Sequence, residues 1–169
     1  MASIQVALIA AALLASTVLI HYEALQFASG LETRSTSPSR ADILKVIAIL
    51  LLAHFVEVGL YAGVLFLCQQ AHLGALAGDI EGDVIDWLYF SISSYTTLGV
   101  GDLQARGPLR LIAGVEALNG LMLITWSASF TYLAMGQVWK TPSPNGENSP
   151  DDQRTSSRTT TTRPKPPPP

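Results

Sequence analysis

The chain has 169 residues, of which 49% are hydrophobic and 14% are charged, and its net charge at pH 7 is −3. This composition is more apolar than that of an ordinary soluble domain and favours a membrane protein with one domain. The small net charge gives no sign of a nucleic-acid partner. Three histidines and the single Cys68 are too few for a Cys/His metal cluster or an intrachain disulfide.

Three apolar segments are long enough to cross a bilayer as helices, and they cover residues 2–20, 43–67 and 109–135. At about 1.5 Å per residue each segment extends roughly 28 to 40 Å, compared with about 30 Å for the hydrocarbon core. A signal peptide is the alternative for the first segment. That segment lacks a preceding basic residue and a clear cleavage site, which favours a retained transmembrane helix.

The distribution of charge predicts how the chain is oriented. The connector 21–40 and the tail 141–169 carry most of the Lys and Arg residues, so both are predicted to be cytoplasmic. Residues 69–86 carry four acids and no Lys or Arg, so they are predicted to be external. We therefore expect a multi-pass protein of the plasma or inner cell membrane with a cytoplasmic C-terminus. The Ser, Thr and Pro content of the tail predicts disorder.

The stretch between the second and third segments is unusually polar. Residues 84–95 carry apolar side chains at helical spacing but are too short to span, which indicates a half-helix that enters the membrane and stops. Residues 96–102, TTLGVGD, follow it. Irregular backbone survives at membrane depth only where it is buried in protein or lines water. This loop therefore predicts a water-filled pore or a buried site.

The sequence TTLGVGD resembles the selectivity filter of the potassium channel family, whose common form is TTVGYGD. The resemblance covers about residues 43–135. It implies an all-α membrane protein with three transmembrane helices and a pore domain at 41–138, in which a re-entrant pore helix and filter loop lie between the second and third helices. It also implies a selectivity filter formed by Thr96, Thr97, Leu98, Gly99, Val100, Gly101 and Asp102. Within that filter, the backbone carbonyls of residues 97–100 would bind the ion.

Val100 departs from the family pattern, which usually has Tyr or Phe at this position. A weakly selective monovalent cation channel and a non-conducting channel subunit therefore remain alternatives to a potassium channel. An intramembrane protease of the GxGD type is a more distant alternative. Such an enzyme needs a second membrane-embedded aspartate, and the predicted spans contain none because Asp42 lies at the edge of its span. We therefore do not expect an enzyme.

The third segment also resembles a known inner helix. Glu116 precedes Gly120 by four residues, as in the inner helices of bacterial inward-rectifier-type channels. The resemblance implies that Gly120 is a gating hinge and that Ile124, Ala128 and Tyr132 face the cavity. Close packing between helices is the alternative role for Gly120.

Three ionisable residues, His54, Glu57 and Glu116, lie inside the predicted spans. Ionisable groups in membrane segments are functional candidates, and His54 and Glu57 share one helix face. The two hypotheses are a hydrogen-bonded structural cluster and a pH sensor, because a histidine beside an acid can change charge near neutral pH.

One filter loop per chain cannot enclose a pore, so we expect a homotetramer in a lipid membrane. No cofactor is expected beyond transported K⁺ in the filter, and no resident metal. Neither a nucleic acid nor a small-molecule substrate is expected as a partner.

Overall fold

The computed structural model describes residues 2–33, 40–78 and 82–140. The elements follow in the order α1 (Ala2–Thr33), α2 (Arg40–Gln70), β1 (Ala75–Gly78), α3 (Val84–Tyr95), β2 (Leu103–Arg106) and α4 (Leu109–Lys140). Three stretches are long and apolar enough to cross a membrane: Ala2–Gly30, Arg40–Gln70 and Leu109–Gly136. The predicted class, mostly helical with three such helices, is confirmed. The prediction for the tail 141–169 lies outside the described residues.

The first helix is longer than the apolar segment that predicts it. It continues to Thr33 instead of ending near Ile20. The sequence assigned His21 to a cytoplasmic connector, but in the structure this residue is fully buried within α1. The reason is that no proline interrupts the helix after Ile20, and His21 finds a buried partner in Glu57 on α2.

The second and fourth helices also extend beyond their predicted bounds of 43–67 and 109–135. Apolar length indicates which residues can lie in the hydrocarbon region, whereas helical hydrogen bonds continue into polar flanks. The short helix α3 begins and ends at the predicted residues.

The helix α1 is an integral part of the bundle, since it packs against both α2 and α4. Near one end of α1, Val6, Ala10 and Leu13 join a buried cluster that also contains Trp87 and Phe90 of α3. A second cluster is built around Leu25, Ala28, Val46 and Leu50. Most side chains in the three candidate spans are not buried within the chain, so broad apolar faces remain for lipid or further subunits.

Two short strands, β1 and β2, pair antiparallel, with Ala75 opposite Arg106 and Gly78 opposite Leu103. The sequence did not predict them, because ALAG and LQAR are four-residue segments without clear alternation. Gly78 has φ of 141°, and a Cβ there would lie 2.2 Å from the Asp102 carbonyl oxygen. Only glycine fits this close approach, which joins the segment before α3 to the segment after the loop.

A buried polar contact also attaches α1 to the other helices. The amide nitrogen Nδ2 of Asn119 on α4 donates to Thr17 Oγ1 on α1 at 2.7 Å and to the Tyr61 hydroxyl on α2 at 3.2 Å. Lipid tails are as apolar as leucine side chains, so hydrogen bonds and close packing stabilise helix association in a membrane.

We predict that Thr17→Val weakens the packing of α1, because it removes the acceptor of a buried amide without changing side-chain volume. The expected loss in the free energy of unfolding is about 0.6 to 1.7 kcal/mol. The measurement is reversible unfolding in mixed micelles, followed by circular dichroism. The control is Ser16→Ala, since the exposed Ser16 hydroxyl bonds to Ala12 of its own helix. Equal losses in the two variants would contradict the assigned contact.

Candidate functional site

The helix α3 has well-defined caps at both ends. At its start, the Asp83 side chain accepts a hydrogen bond from the Val84 amide at 2.6 Å, and Asp86 lies in the first turn. Acidic groups at a helix N-terminus are favoured by the helix dipole. At its end the backbone leaves the helix at Thr96, where the TTLGVGD loop begins.

The loop folds back over the C-terminal end of α3. Four consecutive loop amides, those of residues 97–100, donate to the carbonyl oxygens of Ser93 and Ser94 or to Ser93 Oγ at 2.9 to 3.2 Å. The last carbonyls of a helix have no partner within the helix, so the loop amides satisfy them. The loop and the helix end therefore form one hydrogen-bonded unit.

The carbonyl oxygens of the same four residues have no such partners. Within the described residues, none donates a hydrogen bond to the carbonyls of residues 97–100, whereas the Gly101 carbonyl accepts from Gln104 at 3.2 Å. The loop is exposed on the single chain, with Leu98 and Val100 70% and 54% accessible. Backbone carbonyls at membrane depth need water, protein or a bound cation as a partner.

The backbone of the loop alternates in hand. Thr97, Gly99 and Gly101 have positive φ values of 59°, 57° and 91°, while the two residues between them do not. Alternating hands turn successive peptide units toward one side of the chain, in contrast to the alternation in a strand. Thr97 is β-branched, and positive φ in such a residue costs of order 1 to 3 kcal/mol. Strain of this kind is concentrated at functional sites.

Asp102 connects the end of the loop to its surroundings. Its carboxylate accepts from the Leu103 amide at 2.9 Å and lies close to the Tyr89 hydroxyl of α3. Hydrogen bonding to this carboxylate raises the pKa of the Tyr89 phenol above its ordinary value. The Tyr89 hydroxyl is thus placed to donate a hydrogen bond to Asp102.

A set of buried and partly buried side chains from all four helices meets behind the end of α3. We call His21, His54, Glu57, Tyr95 and Ser127 the polar cluster. Glu57 contacts His21 Nδ1 at 3.0 Å and His54 Nδ1 at 3.3 Å, and it accepts a hydrogen bond from the Tyr95 hydroxyl. Ser127 Oγ lies 3.0 Å from His54 Nε2 and 3.1 Å from His21 Nε2.

The sequence pointed to only two members of the polar cluster, His54 and Glu57. It missed His21 because the residue was assigned to a connector, and it missed Tyr95 and Ser127 because such residues are common in any helix. The spacing of His21, four residues after Thr17 on one face of a continuous helix, was the available signal. The cluster also brings two histidines and a carboxylate together, which composition alone did not predict.

Glu116 lies apart from the polar cluster, although it is also fully buried. Its Oε1 contacts Ser91 Oγ of α3, which lies 2.9 Å from the Val58 carbonyl oxygen of α2. Among the described residues, no group bonds to Glu116 Oε2. Through this single serine, Glu116 on α4 is linked to α3 and α2. The pH-sensing role proposed for Glu116, His54 and Glu57 stays a prediction.

Gly120 is the point where α4 crosses the end of α3. A Cβ at this position would lie 2.1 Å from the Tyr95 carbonyl oxygen and 2.8 Å from Tyr95 Cγ. The structure therefore shows the close contact expected from the packing alternative, while the hinge role stays a prediction. The other predicted cavity residues, Ile124, Ala128 and Tyr132, are exposed on the single chain.

Residues 53–135 match a family model described as ion channel. The matched range begins within α2, includes α3 and the TTLGVGD loop, and ends within α4. No curated protein and no solved structure matches the chain. The family match supports an ion channel built from this part of the chain.

We predict that Gly120→Ala destabilises the protein by about 1 to 3 kcal/mol, the usual cost of overpacking, because its methyl group cannot fit against Tyr95. The measurement is thermal unfolding of the purified protein in detergent. The matched control is Gly114→Ala on the same helix, where a Cβ has no atom within 4 Å. Gly120→Ala with wild-type stability would show that α4 does not approach Tyr95 this closely.

Proposed function

We propose that four copies of this chain form a potassium channel in the plasma or inner cell membrane, with the carbonyls of residues 97–100 around the ion path. The observation that carries the proposal is the row of carbonyl oxygens at residues 97–100 that lack hydrogen-bond donors. Carbonyl oxygens of this kind can take the place of the water molecules that a cation loses when it enters a filter.

The hydrogen bonds of the loop explain why carbonyls, and not amides, are available to an ion. All four amides are occupied by acceptors at the end of α3. An amide facing the axis would repel a cation, so holding the amides back against Ser93 and Ser94 favours cation binding. The C-terminal end of α3 adds the negative end of a helix dipole on the same side.

A single chain leaves its loop and the face of α4 open. Four loops arranged about an axis would surround an ion with rings of carbonyls, and closed cyclic symmetry is usual for homo-oligomers. The exposed residues Ile124, Ala128 and Tyr132 would then line the cavity on the cytoplasmic side, with the C-terminus in the cytoplasm. These positions lie one helical turn apart, as a continuous lining requires.

Val100 is the residue on which the choice between a potassium channel and a weakly selective cation channel depends. In this structure its amide is held by Ser93 Oγ at 3.2 Å, and its side chain is exposed. The hydroxyl of Ser93 thus supplies a brace that does not depend on an aromatic side chain at residue 100. A weakly selective cation channel remains the second candidate, because valine cannot donate a hydrogen bond to hold the ring of carbonyls at a fixed diameter.

The protease alternative lacks a partner for Asp102. Within the described parts of the three candidate spans, the sole aspartate is Asp42, which lies in the first turn of α2 and pairs with Lys45 at 2.9 Å. A pair of aspartates sharing a proton requires two close carboxyl groups. The geometry therefore favours a channel over an aspartyl protease.

We predict that the purified protein in planar bilayers, under opposed K⁺ and Na⁺ gradients, gives currents that reverse near the K⁺ equilibrium potential. The substitution Val100→Tyr is expected to keep or increase the preference for K⁺, because it restores a side chain that can brace the loop. Reversal near zero in the wild type would favour the weakly selective channel. Absence of current in the wild type and in Val100→Tyr would favour a non-conducting subunit.

We also predict that Ser93→Ala lowers the K⁺/Na⁺ permeability ratio about fivefold, which corresponds to one lost hydrogen bond of about 1 kcal/mol to the Val100 amide. The control is Ser94→Ala, because Ser94 contributes its carbonyl oxygen, which the substitution retains. The ratio is read from reversal potentials under bi-ionic conditions. Equal ratios in the two variants would remove the Ser93 hydroxyl from the brace.

A further inference from the structure

Three groups with metal-binding chemistry converge between α1 and α2. His21 and Glu57 are fully buried, and the side chain of His54 is 17% accessible. One ligand atom from each of the three residues lies within 4.8 Å of the other two. The imidazole rings of the two histidines are neighbours, with their centroids 5.0 Å apart.

The two distances from histidine nitrogen to carboxylate oxygen are close to those between neighbouring ligands of one small ion. Nitrogen and carboxylate ligands of a tetrahedral zinc ion, bound at about 2.0 to 2.2 Å, lie about 3.3 to 3.5 Å from one another. Glu57 offers a separate oxygen to each histidine, at 3.0 Å for His21 Nδ1 and 3.3 Å for His54 Nδ1. Small side-chain adjustments would therefore place all three ligands around one ion.

The outer nitrogens of both rings are held by the same atom. Ser127 Oγ lies 3.1 Å from His21 Nε2 and 3.0 Å from His54 Nε2. A hydroxyl oxygen has two lone pairs and can accept from both Nε2–H groups. Histidines that bind metals almost always donate the other ring N–H to such an acceptor.

This arrangement leaves the negative charge of Glu57 without a compensating positive charge. When both Nε2 atoms carry the hydrogen, the two Nδ1 lone pairs face an ionised Glu57, and the group has a charge of −1 inside a membrane-spanning bundle. A buried anion is costly without a compensating cation. The Tyr95 hydroxyl, 2.9 Å from His54 Nδ1, is placed as a neighbour to a bound ion or to its water ligand.

We propose that His21, His54 and Glu57 form a binding site for a divalent transition-metal ion of the zinc type. Two imidazoles and one carboxylate favour Zn²⁺, Co²⁺, Ni²⁺ or Cu²⁺ over Mg²⁺ and Ca²⁺, which prefer oxygen ligands alone. The site connects α1 to α2. It also contacts Tyr95, which is the residue that precedes the TTLGVGD loop. Metal binding does not depend on ion conduction, so it can be tested separately.

The test uses Co²⁺ as the probe with the full chain, purified in detergent and stripped of metal with a chelator. We expect the wild type to bind one Co²⁺ per chain with the visible absorption of a four- or five-coordinate ion. His21→Gln and His54→Gln should each weaken binding at least tenfold. Ser127→Ala should weaken it about 10- to 100-fold, since it removes the acceptor that orients both rings.

Two further variants make the result unambiguous. His72→Gln is the matched control, because His72 lies in the exposed turn after α2 and should bind Co²⁺ like the wild type. His21→Cys retains a metal ligand at residue 21, so recovery of binding with thiolate-to-cobalt charge-transfer absorption would show that His21→Gln lost a ligand and not its fold. Wild-type protein without Co²⁺ absorption, or unchanged affinity in both His→Gln variants, would overturn the proposal and leave a network held by protons alone.

Discussion

A carboxylate in the interior of a membrane-spanning bundle needs polar neighbours, and Glu57 has them on α1, on α3 and on α2 itself. His21 on α1 contacts one of its oxygens, while Tyr95 at the end of α3 and His54 on α2 itself contact the other. Ser127 on α4 completes the cluster through the two histidines. The contacts made around this one buried carboxylate therefore link all four helices and constrain their mutual orientation.

The TTLGVGD loop depends on this cluster through a single residue. Tyr95 is the last residue of α3, its hydroxyl reaches Glu57, and its carbonyl oxygen lies where α4 passes at Gly120. Two residues earlier, Ser93 receives three of the loop amides through its carbonyl and hydroxyl oxygens. The same helix end is thus anchored on one side by buried polar groups and covered on the other side by the loop.

The sequence predicted the elements whose chemistry is local. Apolar length identified the three spans, and the TTLGVGD motif with its preceding half-helix identified the loop. The sequence did not predict contacts between distant residues, because His21 and Glu57 are 36 positions apart in the chain and no periodicity links them. It also missed β1 and β2, since four-residue strands carry little pattern, and their pairing is fixed by the close approach of Gly78 to Asp102.

The pairing of β1 with β2 makes the segment between them a closed unit. Ala75 and Arg106 are opposite each other in the strand pair, so the chain enters and leaves this segment at the same place. The segment that contains α3 and the loop is therefore closed at its base by the hydrogen bonds between β1 and β2. Along the backbone, α4 is connected to the C-terminal end of the loop only through β2, and β2 is paired with the strand that precedes α3. The loop is thus attached at both of its ends, to α3 on one side and to a paired strand on the other, which limits how far its two ends can separate.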